Sequence, residues 1–315
     1  MPDVAAVAAA EAKGGRFQHV TERRRFLATF LISPAVVFIA ATLGIPFGWA
    51  IYLSLTDATG GSLFGKSVGF RNFSREIHDP IFRGAVWHTI EFTLISQAIV
   101  VIGAGLLAHA LVRNFRGKWF LRFLILLPWA APLALSTIGF VWVFDSDFPF
   151  ASVINWFGLH LHLISKTNPP VWLGTPHLAA TSIIVVQAWR ILPFATVIFL
   201  AGIASIPKEV DDASAIDGAT GLKKFWYVSL PLQLPIALVA MLFGIVFTAT
   251  DMTVPRLLTN GGPTNSTQTL TTWAFTTGID SGAVGEGAAI ALFLLPVLVI
   301  VTVLMLYFAR RVEVT

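Results

Sequence analysis

The chain has 315 residues, 56% of them hydrophobic and only 12% charged, about half the charged share of an ordinary soluble domain, so a water-soluble globular fold is excluded and a membrane protein is expected. Its net charge of +4 does not indicate nucleic acid, because the basic residues fall in short clusters between apolar runs rather than along one stripe. The absence of cysteine rules out disulfides and thiolate metal sites.

A hydrocarbon core about 30 Å thick needs about 20 apolar residues per helix, and six such runs occur, near Phe26–Leu55, Ala85–Val112, Phe123–Val143, Leu178–Ile206, Leu232–Leu257 and Gly287–Ala309. The expected fold is an all-α polytopic membrane protein of six transmembrane helices. Residues 1–25 are expected to form a cytoplasmic tail, 26–309 the transmembrane domain and 310–315 a second tail. The apolar run from Phe26 is too long for the 7–15-residue core of a signal peptide and is read as an uncleaved first span. With the N-terminus placed in the cytoplasm, that side holds fourteen Lys and Arg and the opposite side six. The positive-inside rule therefore puts both termini in the cytoplasm.

After the first span, Gly60–Ser67 reads GGSLFGKS and satisfies the phosphate-loop pattern G-x-x-x-x-G-K-[ST]. That pattern binds phosphate only between a strand and a helix N-terminus. Here it follows a transmembrane run on the outer side, and the match is read as coincidental, a Gly/Ser turn carrying Lys66.

Charges inside spans are costly unless paired or wet. Arg190 falls near the middle of the fourth run and Asp251 in the outer half of the fifth. Two readings stand: they pair, or they face a cavity and bind a solute. Glu91 is expected near the outer interface. Prolines in or near the runs, among them Pro34, Pro46, Pro128, Pro132 and Pro193, release backbone hydrogen bonds, as a moving pore or static kinks would require. His160, His162 and His177 lie near one another in sequence, but no Cys, Asp or Glu between Phe148 and Pro176 completes a metal set, so no metal site is assigned.

The loop from Ile206 to Ile236 reads IPKEVDDASAIDGATGLKKFWYVSLPLQLPI. Asp211 and Asp212 begin a short amphipathic helix that Gly218 ends. Such a helix suits either a groove on another protein or the membrane surface.

Asp212-Ala213-Ser214, three residues, Gly218, nine residues, then Val228-Ser229-Leu230-Pro231 resembles the E-A-A…G…I-x-L-P loop of permease subunits in binding-protein-dependent ATP-binding-cassette (ABC) importers. Four further blocks are similar to the carbohydrate branch of that family: VGFRNF at 68–73, RGKWFLRFLILLPWAAP at 116–132, WRILPF at 189–194 and LLTNGGPTNST at 257–267. The resemblance is to the first permease subunit of maltose-, trehalose- and glycerol-phosphate-type systems, with the type I importer permease fold. It implies a non-catalytic half-channel that pairs with a second permease as a heterodimer in the lipid bilayer. It also implies two cytoplasmic ATPase subunits, which bind ATP and magnesium, and an extracytoplasmic solute-binding protein; no cofactor is expected in this chain. ATPase coupling falls on the loop 207–231, through Asp212, Ala213, Ser214, Asp217, Gly218 and Phe225. Sugar contacts fall on Ile191, Phe194, Gly244, Thr248 and Asp251, to which the depth of Arg190 adds a sixth candidate. A permease for a non-sugar solute is the alternative. A secondary transporter is less consistent with unlike halves and few intramembrane acids, and an intramembrane enzyme lacks a nucleophile–base pair or metal motif at depth.

Overall fold

The computed structural model describes residues 24–145, 152–165, 168–219 and 222–313. Its regular elements are helices. The described residues contain no strand beyond isolated antiparallel bridges between Thr56 and Ser67 and between Thr59 and Ser62.

The chain divides into two units, residues 1–52 and 53–315. In the first, α1 (Arg24–Ile39) passes through a π-helical turn, Ala40–Gly44, into α2 (Ile45–Ser54). Pro46 has no N–H to offer the carbonyl four residues back, so the backbone widens there instead of continuing an α ladder. Phe30, Leu31, Val37 and Phe38 are exposed, as expected of a helix surrounded by lipid or another membrane chain.

The second unit holds α3 (Arg71–His78), α4 (Pro80–Val112), α5 (Lys118–Ala130), α6 (Leu133–Phe144), α7 (Val153–His160), α8 (Pro176–Ala204), α9 (Lys208–Ile216), α10 (Leu222–Lys224), α11 (Leu230–Ala249), α12 (Thr253–Thr259), α13 (Leu270–Phe275) and α14 (Val284–Glu313). Asp79 caps α4 by accepting the N–H groups of Ile81 and Phe82, and Pro80 supplies the preset φ of the first turn. The central packing joins α4, α8 and α11. Val100, Ala104 and Ala108 meet Ala188, Ile191, Ala195, Phe199, Ala237 and Ala240, small side chains that let helices approach closely in a bilayer. A Cβ at Gly103 would meet the Leu192 side chain at 2.8 Å. Helix α14 joins through Ile290 and Leu294 against Phe82, Ala249 and Leu270.

Among the described residues five helical segments are long and apolar enough to cross a membrane, and a sixth is formed if α5 and α6 count as one bent span. Two expected spans need correction. The run Phe123–Val143 is broken, with α5 and α6 meeting at 98°. Ala131 sits at φ −71°, ψ 139°, because the ring of Pro132 disfavours the helical region for the preceding residue. The run Leu232–Leu257 likewise ends early. Helix α11 stops at Ala249, and α12 begins at Thr253, because the Asp251 carboxylate accepts the N–H groups of Thr253 and Val254 and starts a second helix in the manner of a side-chain cap.

Gly60–Ser67 neither follows a strand nor opens a helix. Lys66 donates its backbone N–H to Asp57 Oδ1 at 2.5 Å, Gly60 donates to the Gly282 carbonyl at 2.9 Å, and the Lys66 side chain is exposed. The following VGFRNF block has a structural use: the buried Asn72 amide donates to the Ser54 and Thr56 carbonyls at 2.9 and 2.8 Å, tying α3 to residues 54–56 within the second unit.

Candidate functional site

The candidate site is a polar layer buried where α4, α8 and α11 meet. Gln97 on α4 donates through Nε2 to Thr248 Oγ1 at 3.1 Å, and Gln187 on α8 donates through Nε2 to Asp251 Oδ2 at 2.6 Å. One turn below Gln187, Arg190 brings Nη1 to 3.6 Å from the same carboxylate oxygen, with side-chain exposures of 20% for Arg190 and 5% for Asp251. The two charges expected either to pair or to face a cavity therefore form an ion pair.

The pair is unequal. Asp251 Oδ1 accepts from the Thr253 N–H at 3.0 Å and Oδ2 from the Val254 N–H at 3.2 Å as well as from Gln187, so the carboxylate is satisfied by neutral donors. Arg190 Nη1 has no hydrogen-bond partner among the described residues, and 3.6 Å exceeds hydrogen-bond reach. Beside it a cavity of about 130 Å³ is lined by Pro128, Trp129, Ala131, Leu133 and Arg190. The break between α5 and α6 opens this space. Trp129 stacks on Phe194 with centroids 4.9 Å apart, and Phe243 and Phe247 meet the Phe194 ring edge-on at 5.9 Å. An aromatic wall thus stands near a guanidinium.

The remaining candidates lie elsewhere in this layer. Ile191 is fully buried in the α4–α8–α11 core. Gly244 faces the Gln97 amide, whose Cδ would lie 2.7 Å from a Cβ built there, so the space left by this glycine is filled by Gln97. Thr248 is buried and engaged with the same amide. Gln97, Gln187 and Trp129 are members of the site that sequence reasoning missed. An uncharged amide within an apolar run is the one signal that could have found the two glutamines.

The loop candidates are grouped at the far end of α8. Helix α9 ends in a Schellman arrangement, in which Ala219 N–H donates to the Ser214 carbonyl at 2.9 Å and Gly218 N–H to the Ala215 carbonyl at 3.1 Å, with Gly218 at φ +72°. Asp212, Ala213, Asp217 and Gly218 are exposed, Ser214 is buried, and Ile216 is 86% exposed. Phe225, in the π-helical turn Phe225–Ser229, packs edge-to-face against His109 of α4 with centroids 5.0 Å apart. At the opposite end of the chain's spans, Arg256 bonds Asp280 at 2.7 Å and Thr276 at 3.2 Å, and Arg75 pairs with Glu286. Glu76, buried under Trp273 Nε1 at 3.2 Å, has its pKa raised by burial, with Asp79 and Glu286 adding to the shift and Trp273 and Arg75 opposing it. Among the described residues no group of three His, Asp or Glu is placed to hold a metal.

Comparison with known proteins places these features in a family. The chain is 29% identical over 292 residues to the sulfoquinovosyl glycerol transport system permease protein SmoG of Agrobacterium fabrum, covering 91% of each chain. It is 27% identical over 270 residues to the trehalose/maltose transport system permease protein MalF of Thermococcus litoralis, covering 86% of this chain and 89% of that one. Its fold matches a chain of the bacterial alginate ABC transporter, solved in complex with alginate pentasaccharide-bound periplasmic protein, at TM-score 0.76 and 18% identity, covering 92% of this chain and 96% of that one. The fold is that of a type I ABC importer permease, a non-catalytic subunit. Residues 99–314 match the family described as binding-protein-dependent transport system inner membrane component, and the chain belongs to it.

Proposed function

We propose that this chain is one of two unlike permease subunits of an ATP-driven importer for a sugar or glycerol phosphate. It forms half of the translocation path, docks separate ATPase subunits that hold ATP and magnesium, and receives solute from an extracytoplasmic binding protein, with both termini in the cytoplasm. The observation that carries this reading is the loop geometry. Helix α9 exposes Asp212, Ala213 and Asp217, the left-handed Gly218 reverses the chain, and Phe225 bears on His109 of α4. A push on α9 is thereby delivered to a helix that also carries Gln97 of the polar layer. The substrate class follows the printed functions of SmoG and MalF and the aromatic wall at Trp129 and Phe194, a surface suited to the C–H face of a sugar ring.

The solute path is assigned to the cavity beside Arg190 and Phe194. Asp251, Thr248, Gly244 and Ile191 hold its wall in place from behind. The test is purification of the affinity-tagged chain from its native membrane. Recovery of a second permease and an ATPase in stoichiometric amounts is expected. Recovery of the chain by itself, with full thermal stability, refutes the assignment.

A further inference from the structure

We propose that Arg190 is the solute-binding side chain of this path and that it receives an oxyanion, the carboxylate, sulfonate or phosphate of an acidic sugar or glycerol ester. This rests on the import reading above and narrows its substrate to anionic solutes. Arg190 lies near the middle of the 29-residue α8, and among the described residues no other Lys or Arg sits near the middle of a spanning helix. A cation at that depth persists only when it is paired or facing water. Asp251 does not supply a full partner: its oxygens are occupied by Gln187, Thr253 and Val254, and it approaches Arg190 no closer than 3.6 Å. It orients the guanidinium without consuming its donors.

The Arg190 side chain, 20% exposed, lines a cavity of about 130 Å³, and its buried Nη1 is a charged donor without a hydrogen-bond partner among the described residues. A guanidinium presents its N–H groups as a planar fork that fits two oxygens of a carboxylate, sulfonate or phosphate, and an anion compensates both the charge and the missing hydrogen bonds. A neutral hydroxyl compensates only the latter. Trp129, stacked on Phe194 at 4.9 Å, lies on the same cavity and offers the apolar surface for the rest of the solute. Charge recognition and ring recognition are thereby adjacent in one chain.

The experiment uses the complete complex in proteoliposomes and matched solutes: methyl glucoside against methyl glucuronide, and glycerol against glycerol 3-phosphate. Uptake is normalised to the binding protein's own affinity for each. Wild type is expected to prefer the acidic member of at least one pair about 10-fold or more. Arg190→Gln is expected to lower acidic uptake about 10- to 100-fold and to lower neutral uptake by a much smaller factor. Should that variant fail to assemble, Arg190→Lys carries the test: it keeps the charge and loses the planar fork, so acidic uptake is expected to fall more than neutral uptake, and an equal change in both, or none in either, overturns the proposal. Uptake of neutral solutes only, unaffected by Arg190→Gln, overturns it while leaving the import reading intact. Absence of uptake for all four solutes, with the binding protein loaded, overturns both.

Discussion

A methyl group added at Gly244 enters space held by the Gln97 amide. The Cβ would sit 2.7 Å from Gln97 Cδ and 3.0 Å from Nε2, and Gln97 is buried on α4 at 2% exposure. Gly244→Ala therefore forces the amide off Thr248 Oγ1. The lost hydrogen bond costs about 1 kcal/mol, and an amide left without a partner in a buried position costs about 1–3 kcal/mol more. Replacing glycine within a helix returns about 1 kcal/mol, so a net destabilisation of about 1–3 kcal/mol is expected. Thermal unfolding of the purified complex reads the effect, and Gln97→Ala in the Gly244→Ala background supplies the control. The double variant should be more stable than the sum of the single changes by about 1 kcal/mol or more, since neighbours in contact do not act additively. Gly244→Ala melting with wild type, or strict additivity in the cycle, refutes the packing of α11 against α4 described above.

Lys66→Ala is expected to leave uptake and ATP turnover of the assembled complex unchanged, because Lys66 is exposed in a turn that is held through its backbone N–H and carbonyl; loss of nucleotide binding in that variant contradicts this. Glu76 carries a raised pKa caused first by burial, so its protonated form favours the folded state: its contribution is complete below the ordinary glutamate pKa and disappears as pH rises through the raised value. Melting temperatures measured from about pH 4 to pH 8 should therefore fall more steeply for wild type than for Glu76→Gln, and parallel profiles would show that this carboxyl does not titrate abnormally. At Gly218 a Cβ meets nothing within 4 Å, but φ is +72°, so the cost of Gly218→Val is backbone strain of about 1–2 kcal/mol. Uptake coupled to ATP hydrolysis should fall in Gly218→Val and be largely kept in Gly218→Asn, because asparagine tolerates the left-handed region; equal behaviour of the two variants refutes the role given to that turn.

The second, fourth and sixth spans were legible because their apolar runs coincide with unbroken helices. The third and fifth were not, since hydropathy counts side chains and takes no account of backbone hydrogen bonding. Ala131 is as apolar as its neighbours yet is driven out of the helix by Pro132, and Asp251 ends one helix by capping the next. Depth singles out Arg190 and Asp251 as a pair or as cavity lining, and the structure brings them together across α8 and the α11–α12 break. What sequence did not reveal is the inequality of that pair, which depends on Gln187 and on two backbone N–H groups. The same holds for Gly244, whose small size serves Gln97 on a helix far away in sequence. Spacing identified Gly218, because a left-handed helix end demands glycine wherever it falls.

Whether this chain forms half of an ATP-driven solute path is read by uptake of radiolabelled solute into proteoliposomes holding the reconstituted complex, with loaded binding protein outside and ATP inside. Uptake is expected to require ATP and the binding protein together and to persist when proton and sodium gradients are collapsed. Uptake that proceeds without ATP and stops when a gradient is collapsed would contradict it.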